Sequence, residues 1–414
     1  MLLFPLPHRF KARVAAGLLV SLSLLASLGA SAQTLPPEVD ALLARAKVPR
    51  DALAAVVMDA APALNSKTAP LLSWRAASPM NPASVMKLVT TYAGLELLGP
   101  AYTWKTPVYA DGPIVNGVLQ GNLILQGKGD PKLVMERLWL LLRRVQGLGI
   151  KTISGDILLD RSAFAASTQN PGDFDGEALR PYNVQPDALL VNYKSVVMTF
   201  VPNPGNGTAS INVDPPLASV QMQASVPLSA SGNGGGALAQ CGDYRAQLKP
   251  DFADPYRMAF SGTYPAACGE KTWSIAYPDP ASYGARAMAG LWQEMGGKLG
   301  GQVRDGVAPA GLVPVFEMES PSLAEVIRDI NKYSNNVMAQ QLFLTLSLQR
   351  PGGASVDASR ELVRGWWQTR FGAPNGGADV PVLDNGSGLS RLGRVTPQGL
   401  ARMLQTAYVS GAMP

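Results

Sequence analysis

Between residues 106 and 310 the chain is cut by glycine and proline into short alternating segments, while on both sides of that stretch apolar residues recur at helical spacing. A chain patterned this way reads as a helix-bearing body opened in the middle by a β-rich insertion, in two lobes. No internal repeat is visible. Inside the insertion, Asn116-Gly117 between apolar neighbours predicts a hairpin, and residues 121–125, 155–159, 189–201 and 210–213 read as further strands. Helical stretches interrupt them at 133–146 and 282–295, and the run 231–236 is a flexible loop by composition.

Ahead of the insertion, residues 52–58 and 71–74 read as strands. A helix follows: Asn81 can cap it, Pro82 takes the first helical position, and Val85, Leu88, Val89 and Tyr92 recur at helical spacing up to Gly99-Pro100. Behind the insertion, a strand over 313–318 precedes an amphipathic helix marked by Leu323, Val326, Ile327 and Ile330. A short turn over 331–335 then leads to a second apolar helix ending near Leu348.

The first 32 residues have the three parts of an export signal. Arg9, Lys11 and Arg13 form a positive start, residues 14–28 an apolar core, and Ala30-Ser31-Ala32 a small-residue cleavage site, so the mature protein is expected to be exported. The competing reading is an uncleaved anchor, for which the apolar core is short. Cleavage would lower the formal charge from +5 to +2, a weak balance that argues against nucleic-acid binding. The 382 residues left are enough for two or three domains. Cys241 and Cys268 remain, and an oxidising compartment would allow them to pair; two unpaired buried thiols are the alternative.

The only histidine, His8, sits inside the expected signal. Ser-His-Asp hydrolases, cysteine-histidine proteases and histidine-ligated metal sites are excluded together for the mature chain. Nucleophilic chemistry would need another base. Ser84-Val85-Met86-Lys87 is the one place where a lysine follows a serine by three residues, and on a helix such a pair projects from one face. A lysine serves as base only when its pKa is lowered, and burial or the positive end of a helix dipole would lower it. A second element, Tyr333-Ser334-Asn335-Asn336, falls in the turn between the two apolar helices. Ser-x-Asn also occurs at 210–212 and 231–233, but there it reads as turn chemistry.

Ser84 to Lys87, Tyr333 to Asn336 and the stretch Asp384-Asn385-Gly386-Ser387-Gly388-Leu389-Ser390-Arg391 occur in an order that resembles the D-alanyl-D-alanine carboxypeptidase/endopeptidase family, the low-molecular-mass class C penicillin-binding proteins. Residues 127–131 and 186–193 look similar too, and the resemblance covers nearly all of 33–414. It implies an α/β (α+β) fold of the penicillin-binding-protein/β-lactamase type, an antiparallel sheet flanked by helices. The catalytic domain would be 33–105 with 311–414, and 106–310 would be the inserted β-rich domains. The 250-residue gap between Ser84 and Ser334 suits such an insertion and disfavours a compact β-lactamase.

By motif position the resemblance implies that Ser84 attacks the carbonyl between two D-alanines and Lys87 accepts its proton. Ser334 would relay a proton to the leaving amine, Asn336 would orient the substrate amide, and Arg391 would contact the carboxylate of the peptidoglycan side chain. The implied partners are peptidoglycan peptide stems and cross-links, with β-lactams as covalent inhibitors. Neither cofactor nor metal is implied, and a homo-oligomer is left open. One departure stands out, because the family carries a Lys-Thr-Gly motif on a cleft strand and no Lys-Thr pair here continues with glycine. The expectation is a C-terminally truncated catalytic domain; a peptidoglycan-binding protein without turnover is the alternative.

Overall fold

The computed structural model describes residues 34–60, 69–166, 169–229, 241–373, 377 and 379–411. The expected export signal and the 231–236 loop lie outside them. The chain divides into two compact units, residues 1–80 with 396–408, and residues 81–395 with 409–414. Among the described residues no helix is long and apolar enough to cross a membrane. The helices among the described residues are α1 (Pro37–Ala46), α2 (Met86–Leu98), α3 (Met135–Gly147), α4 (Tyr244–Leu248), α5 (Tyr283–Glu294), α6 (Leu323–Tyr333), α7 (Asn336–Leu346), α8 (Val356–Phe371) and α9 (Pro397–Tyr408).

In the first unit the strands Ala55–Val57 and Leu72–Trp74 pair antiparallel, with Ala55 opposite Trp74. Helix α9 packs on the first of them. The Gln398 N–H donates to the Ala76 carbonyl (3.0 Å), and the Gln405 side chain donates to the Asp59 carbonyl (2.6 Å).

Among the described residues the second unit carries four sheets and the helices that bear the motifs. Its largest sheet is mixed, in the order Val303–Asp305, Ile157–Asp160, Leu123–Gln126, Lys105–Ala110, Phe316–Glu319. Leu123–Gln126 and Ile157–Asp160 run parallel, so their connection must cross over, and α3 is that crossover. The strand foreseen over 313–318 begins at Phe316 and pairs antiparallel with Lys105–Ala110. Asn116 and Gly117 both take the left-handed conformation (φ 48° and 82°), as a two-residue hairpin requires, and join Ile114–Val115 to Val118–Leu119. An antiparallel sheet of Ser225–Pro227, Thr208–Asp214, Ser195–Asn203 and Lys271–Ala276 stands further along. Leu138, Leu142, Ile157, Met198, Phe200 and Trp292 belong to one buried core that runs through these sheets. Cys241 and Cys268 are bonded to each other.

The strand expected over 189–201 starts only at Ser195. Residues 192–194 instead form a single tight turn in which Asn192, Tyr193 and Lys194 are all left-handed (φ 43°, 53° and 47°). Helix α2 is buried almost all round, which suits a central helix rather than a surface one. Gly94 lets α7 come close: a Cβ there would stand 3.2 Å from the Leu342 side chain. That approach brings the start of α7 to the start of α2.

Candidate active site

Ser84 sits on a single 3-10 turn, Ala83–Val85, ahead of α2, where the sequence placed it in the first turn of the helix itself. Asn81 does act locally: its Oδ1 accepts from the Ala83 N–H (2.9 Å), and its Nδ2 donates to the Ser390 carbonyl (3.0 Å). Ala83 is left-handed (φ 45°), a conformation that costs energy for any residue with a Cβ and that clusters at functional sites. The turn presents Ser84 to solvent.

Lys87 points the other way, into the protein, with only 2% of its surface exposed. Its Nζ lies 3.1 Å from Ser84 Oγ, 2.6 Å from Asn336 Oδ1 and 2.7 Å from the Ser387 carbonyl. Burial disfavours the ammonium and lowers its pKa from 10.5 to about 8. Two of the three neighbours are carbonyl oxygens, which only accept. Once the amine is neutral, its two N–H groups are committed to those carbonyls, and the remaining lone pair faces the Ser84 hydroxyl.

Asn336 reaches Lys87 because the turn between α6 and α7 is two residues, shorter than the five foreseen. A capping box of Ser322 and Glu325 starts α6. Ser334 ends it in the left-handed conformation (φ 53°, ψ 40°), its N–H donating to the Ile330 carbonyl. Asn335 immediately caps α7, its Oδ1 accepting from the Met338 N–H at 3.0 Å. The Asn336 amide is fixed at both ends, since its Nδ2 also donates to the Tyr182 carbonyl (3.1 Å). Ser334 itself is exposed, and its hydroxyl makes no hydrogen bond among the described residues. It lines a cavity of about 350 Å³ with Tyr182, Tyr193 and Asn336.

The third wall is the 384–391 loop. Asn385 Oδ1 accepts from the N–H (3.1 Å) and hydroxyl (2.9 Å) of Ser387, and its Nδ2 donates to the Leu389 carbonyl (2.9 Å). Gly386 and Gly388 are both left-handed (φ 74° and 77°), and a Cβ on Gly388 would fall 1.8 Å from the Ala83 carbonyl oxygen. The loop is thereby pressed against the Ser84 turn, and the Thr90 hydroxyl donates to the Gly386 carbonyl at 2.6 Å. Arg360 holds the loop's first residue, donating to the Asp384 carbonyl (2.8 Å) and pairing with its carboxylate.

Arg391, at the loop's end, joins none of these contacts. Its guanidinium lies 5.0 Å from the Phe174 ring centroid and lines a separate cavity of about 250 Å³ with Asp173, Asn183, Gln340 and Asp384. The structure thus gathers Ser84, Lys87 and Asn336 at hydrogen-bond range, with Ser334 on the adjoining turn and Arg391 at a neighbouring opening. Side-chain motifs did not single out the Ser387 and Tyr182 carbonyls, which are backbone acceptors. The paired glycines around Ser387 were the available signal, marking a backbone pressed close to another.

With this geometry in place, comparison with known proteins gives concordant results. The curated relatives include the D-alanyl-D-alanine carboxypeptidase DacB of Haemophilus influenzae, 26% identical over 329 residues, and the D-alanyl-D-alanine carboxypeptidase of Actinomadura sp. strain R39, 26% identical over 339. The matches cover 78% and 79% of this chain but only 65% and 60% of those proteins, so the chain spans less than two thirds of their length. Among solved structures, penicillin binding protein 4 (dacB) from Haemophilus influenzae matches with a TM-score of 0.63 at 25% identity, covering 81% of this chain and 72% of that one. A second structure of that protein, complexed with a β-lactam, matches with a TM-score of 0.59 at 24% identity, covering 81% and 70%. The model of the D-Ala-D-Ala carboxypeptidase 3 (S13) family matches residues 35–413, and the chain belongs to that family.

Proposed function

We propose that the protein is a serine-type D-alanyl-D-alanine peptidase of peptidoglycan that works through an acyl-enzyme on Ser84. The observation that carries this reading is the Lys87 amine, buried beside Ser84 Oγ and held by two carbonyl acceptors, Asn336 Oδ1 and the Ser387 backbone. A neutral Lys87 takes the Ser84 proton as the oxygen attacks the carbonyl between two D-alanines. The Ser84 N–H, at the start of the helical segment, is the natural donor to the developing oxyanion. Ser334, exposed and unengaged at the adjoining turn, passes a proton to the leaving amine. Asn336 holds Lys87 and orients the substrate amide. Water then hydrolyses the ester.

Arg391 supplies the positive charge for a carboxylate on the peptidoglycan side chain, and its opening beside Phe174 has the room for it. A β-lactam presents a strained amide to the same serine and leaves a slowly hydrolysed ester. Residues 1–32 carry the chain out to the periplasm, and the Cys241–Cys268 bond suits that oxidising compartment.

The test is labelling with a fluorescent penicillin. Covalent label on the full chain that disappears in Ser84→Ala supports the acyl-enzyme. A folded, unsubstituted chain that takes no label under the same conditions overturns it.

A further inference from the structure

The opening beside Arg391 does not end at its own walls. Gln185, Gln340 and Asn385 line it and also line a second, inner cavity of about 290 Å³, which runs on to Phe164, Phe343 and Val356. The charged residues on the inner wall, Arg360 and Asp357, are already joined to each other at 2.9 Å. Arg360 spends its remaining donors on the Asp384 carbonyl (2.8 Å) and carboxylate. The Asn385 amide is spent in the same way, on Ser387 and the Leu389 carbonyl. The inner cavity therefore offers apolar surface and matched charges.

The two glutamines on the shared wall are different. Gln340, one turn beyond Asn336 in α7, is only 5% exposed, and its side-chain amide makes no hydrogen bond among the described residues. Gln185 donates to the Asn183 carbonyl (3.1 Å), but its Oε1 is buried without a partner. The neighbouring Gln341 shows what a structural glutamine does in this helix: both ends of its amide are taken, at 2.9 Å, by the N–H and carbonyl of Asp187. Buried amides are ordinarily paired, because an unpaired one forfeits its hydration for nothing. Gln340 thus keeps a donor and an acceptor free where two cavities meet.

We propose that the Arg391 opening and the inner cavity form one continuous subsite for a donor stem whose side chain is already amide-linked to further peptide, with Gln340 as its specificity-determining contact. The inference rests on the reading that Arg391 holds the side-chain carboxylate. In a cross-linked wall, the amine of that same side chain is the nitrogen that carries another stem. Left free, it is an ammonium and suits the Asp173 carboxylate of the outer opening. Acylated, it is neutral and brings the N–H and carbonyl that the glutamines lack, while its acyl chain lies on Phe164, Phe343 and Val356. The donor this subsite prefers is accordingly a stem already joined through its side chain.

Binding to a Ser84→Ala chain tests this without turnover. Two pentapeptide stems are compared that end in D-alanyl-D-alanine and share a carboxylate-bearing side chain, one with the side-chain amine free and one carrying N-acetyl-D-alanyl on it. The acylated stem is expected to bind at least about tenfold more tightly. Gln340→Leu, which removes the amide and keeps an apolar side chain, should abolish most of that advantage. So should Ala165→Trp, at an exposed position on the inner wall where a bulky side chain blocks the cavity without entering the core. Equal or weaker binding of the acylated stem overturns the proposal, as does an advantage that survives Ala165→Trp or a folded Gln340→Leu chain. A third stem, with a carboxamide in place of the side-chain carboxylate, reports separately on Arg391. If it binds as well as the free-amine stem, the Arg391 reading falls, while the ratio of acylated to free stem still decides the inner cavity.

Discussion

Lys87 and Asn336 lie 249 residues apart in the chain, yet the lysine Nζ donates to the asparagine Oδ1 across 2.6 Å. That contact takes up one N–H of the amine and the Ser387 carbonyl takes up another, so the state of the third position decides whether Ser84 can be deprotonated. The ammonium fills it with a proton; the neutral amine fills it with a lone pair.

Acylation should therefore follow the deprotonation of Lys87. With a pKa lowered to about 8 by burial, the reactive form is a minority at neutral pH and dominates above it. The rate of penicillin labelling is expected to climb tenfold per pH unit below about pH 8 and to level off above it. Stability follows the same sign. The folded value lies below the ordinary 10.5, so between about 8 and 10.5 the unfolded chain binds more protons and this group's contribution rises with pH. Below about 8 the cost of burying the ammonium is constant. A labelling rate that stays level from about pH 6 to about pH 9 would remove Lys87 from the role of base. Lys87→Arg, which stays protonated, should lower the rate by at least about a hundredfold.

Asn336→Asp would place a carboxylate where a neutral carbonyl now stands. An opposite charge at this distance favours the ammonium, so the midpoint of the pH–rate profile should move up by at least about one pH unit. Asn336→Ala removes the acceptor without adding charge; it should slow labelling with no upward movement of the midpoint. Midpoints that coincide for Asp and the unsubstituted chain would mean that Asn336 does not tune Lys87.

What could be read in the sequence was what depends on neighbours along the chain. Asn116-Gly117 fixes its own hairpin, Leu323, Val326, Ile327 and Ile330 mark the buried face of their own helix, and Ser84 finds Lys87 within one turn. What could not be read depends on remote contacts. The stretch 189–201 is apolar on either side of Asn192-Tyr193-Lys194-Ser195, and the turn there is fixed not only by its neighbours Asp187 and Ser195 but by Met338 of α7, 145 residues on from Tyr193. Backbone acceptors such as the Ser387 carbonyl carry no side-chain signature at all. Helix α8 is a different case, because Ser355 as its cap and Val363, Trp366 and Trp367 on its buried face were legible and went unread.

The Cys241–Cys268 bond closes a loop over a sequence separation of 27 and belongs to the same buried core as Phe200 and Tyr264. Constraining a loop of that length in the unfolded chain stabilises the fold by roughly 3–4 kcal/mol in the chain-entropy model. Replacing both cysteines by serine should lower the denaturant midpoint of the second unit accordingly. Penicillin labelling in the absence of denaturant should persist, since neither cysteine touches the Ser84 turn. Loss of labelling in a variant that remains folded would tie this distant loop to the site.

Gly388 offers the sharpest test of how the serine turn is held. Any side chain there faces two obstacles, a left-handed backbone and the Ala83 carbonyl oxygen 1.8 Å from the new Cβ. The nearest relief is to push back residues 83–85, which carry Ser84, or to lift the 384–391 loop, whose Ser387 carbonyl holds Lys87. Either movement separates the amine from the hydroxyl. Gly388→Ala should therefore cost at least about 2 kcal/mol of stability and slow penicillin labelling more than tenfold in the fraction that stays folded. Gly365→Ala, at a helical position in α8 with nothing within 4 Å of the added Cβ, is the matched control and should do neither. A Gly388→Ala chain that melts and labels like that control would show that the loop does not set the Ser84–Lys87 geometry.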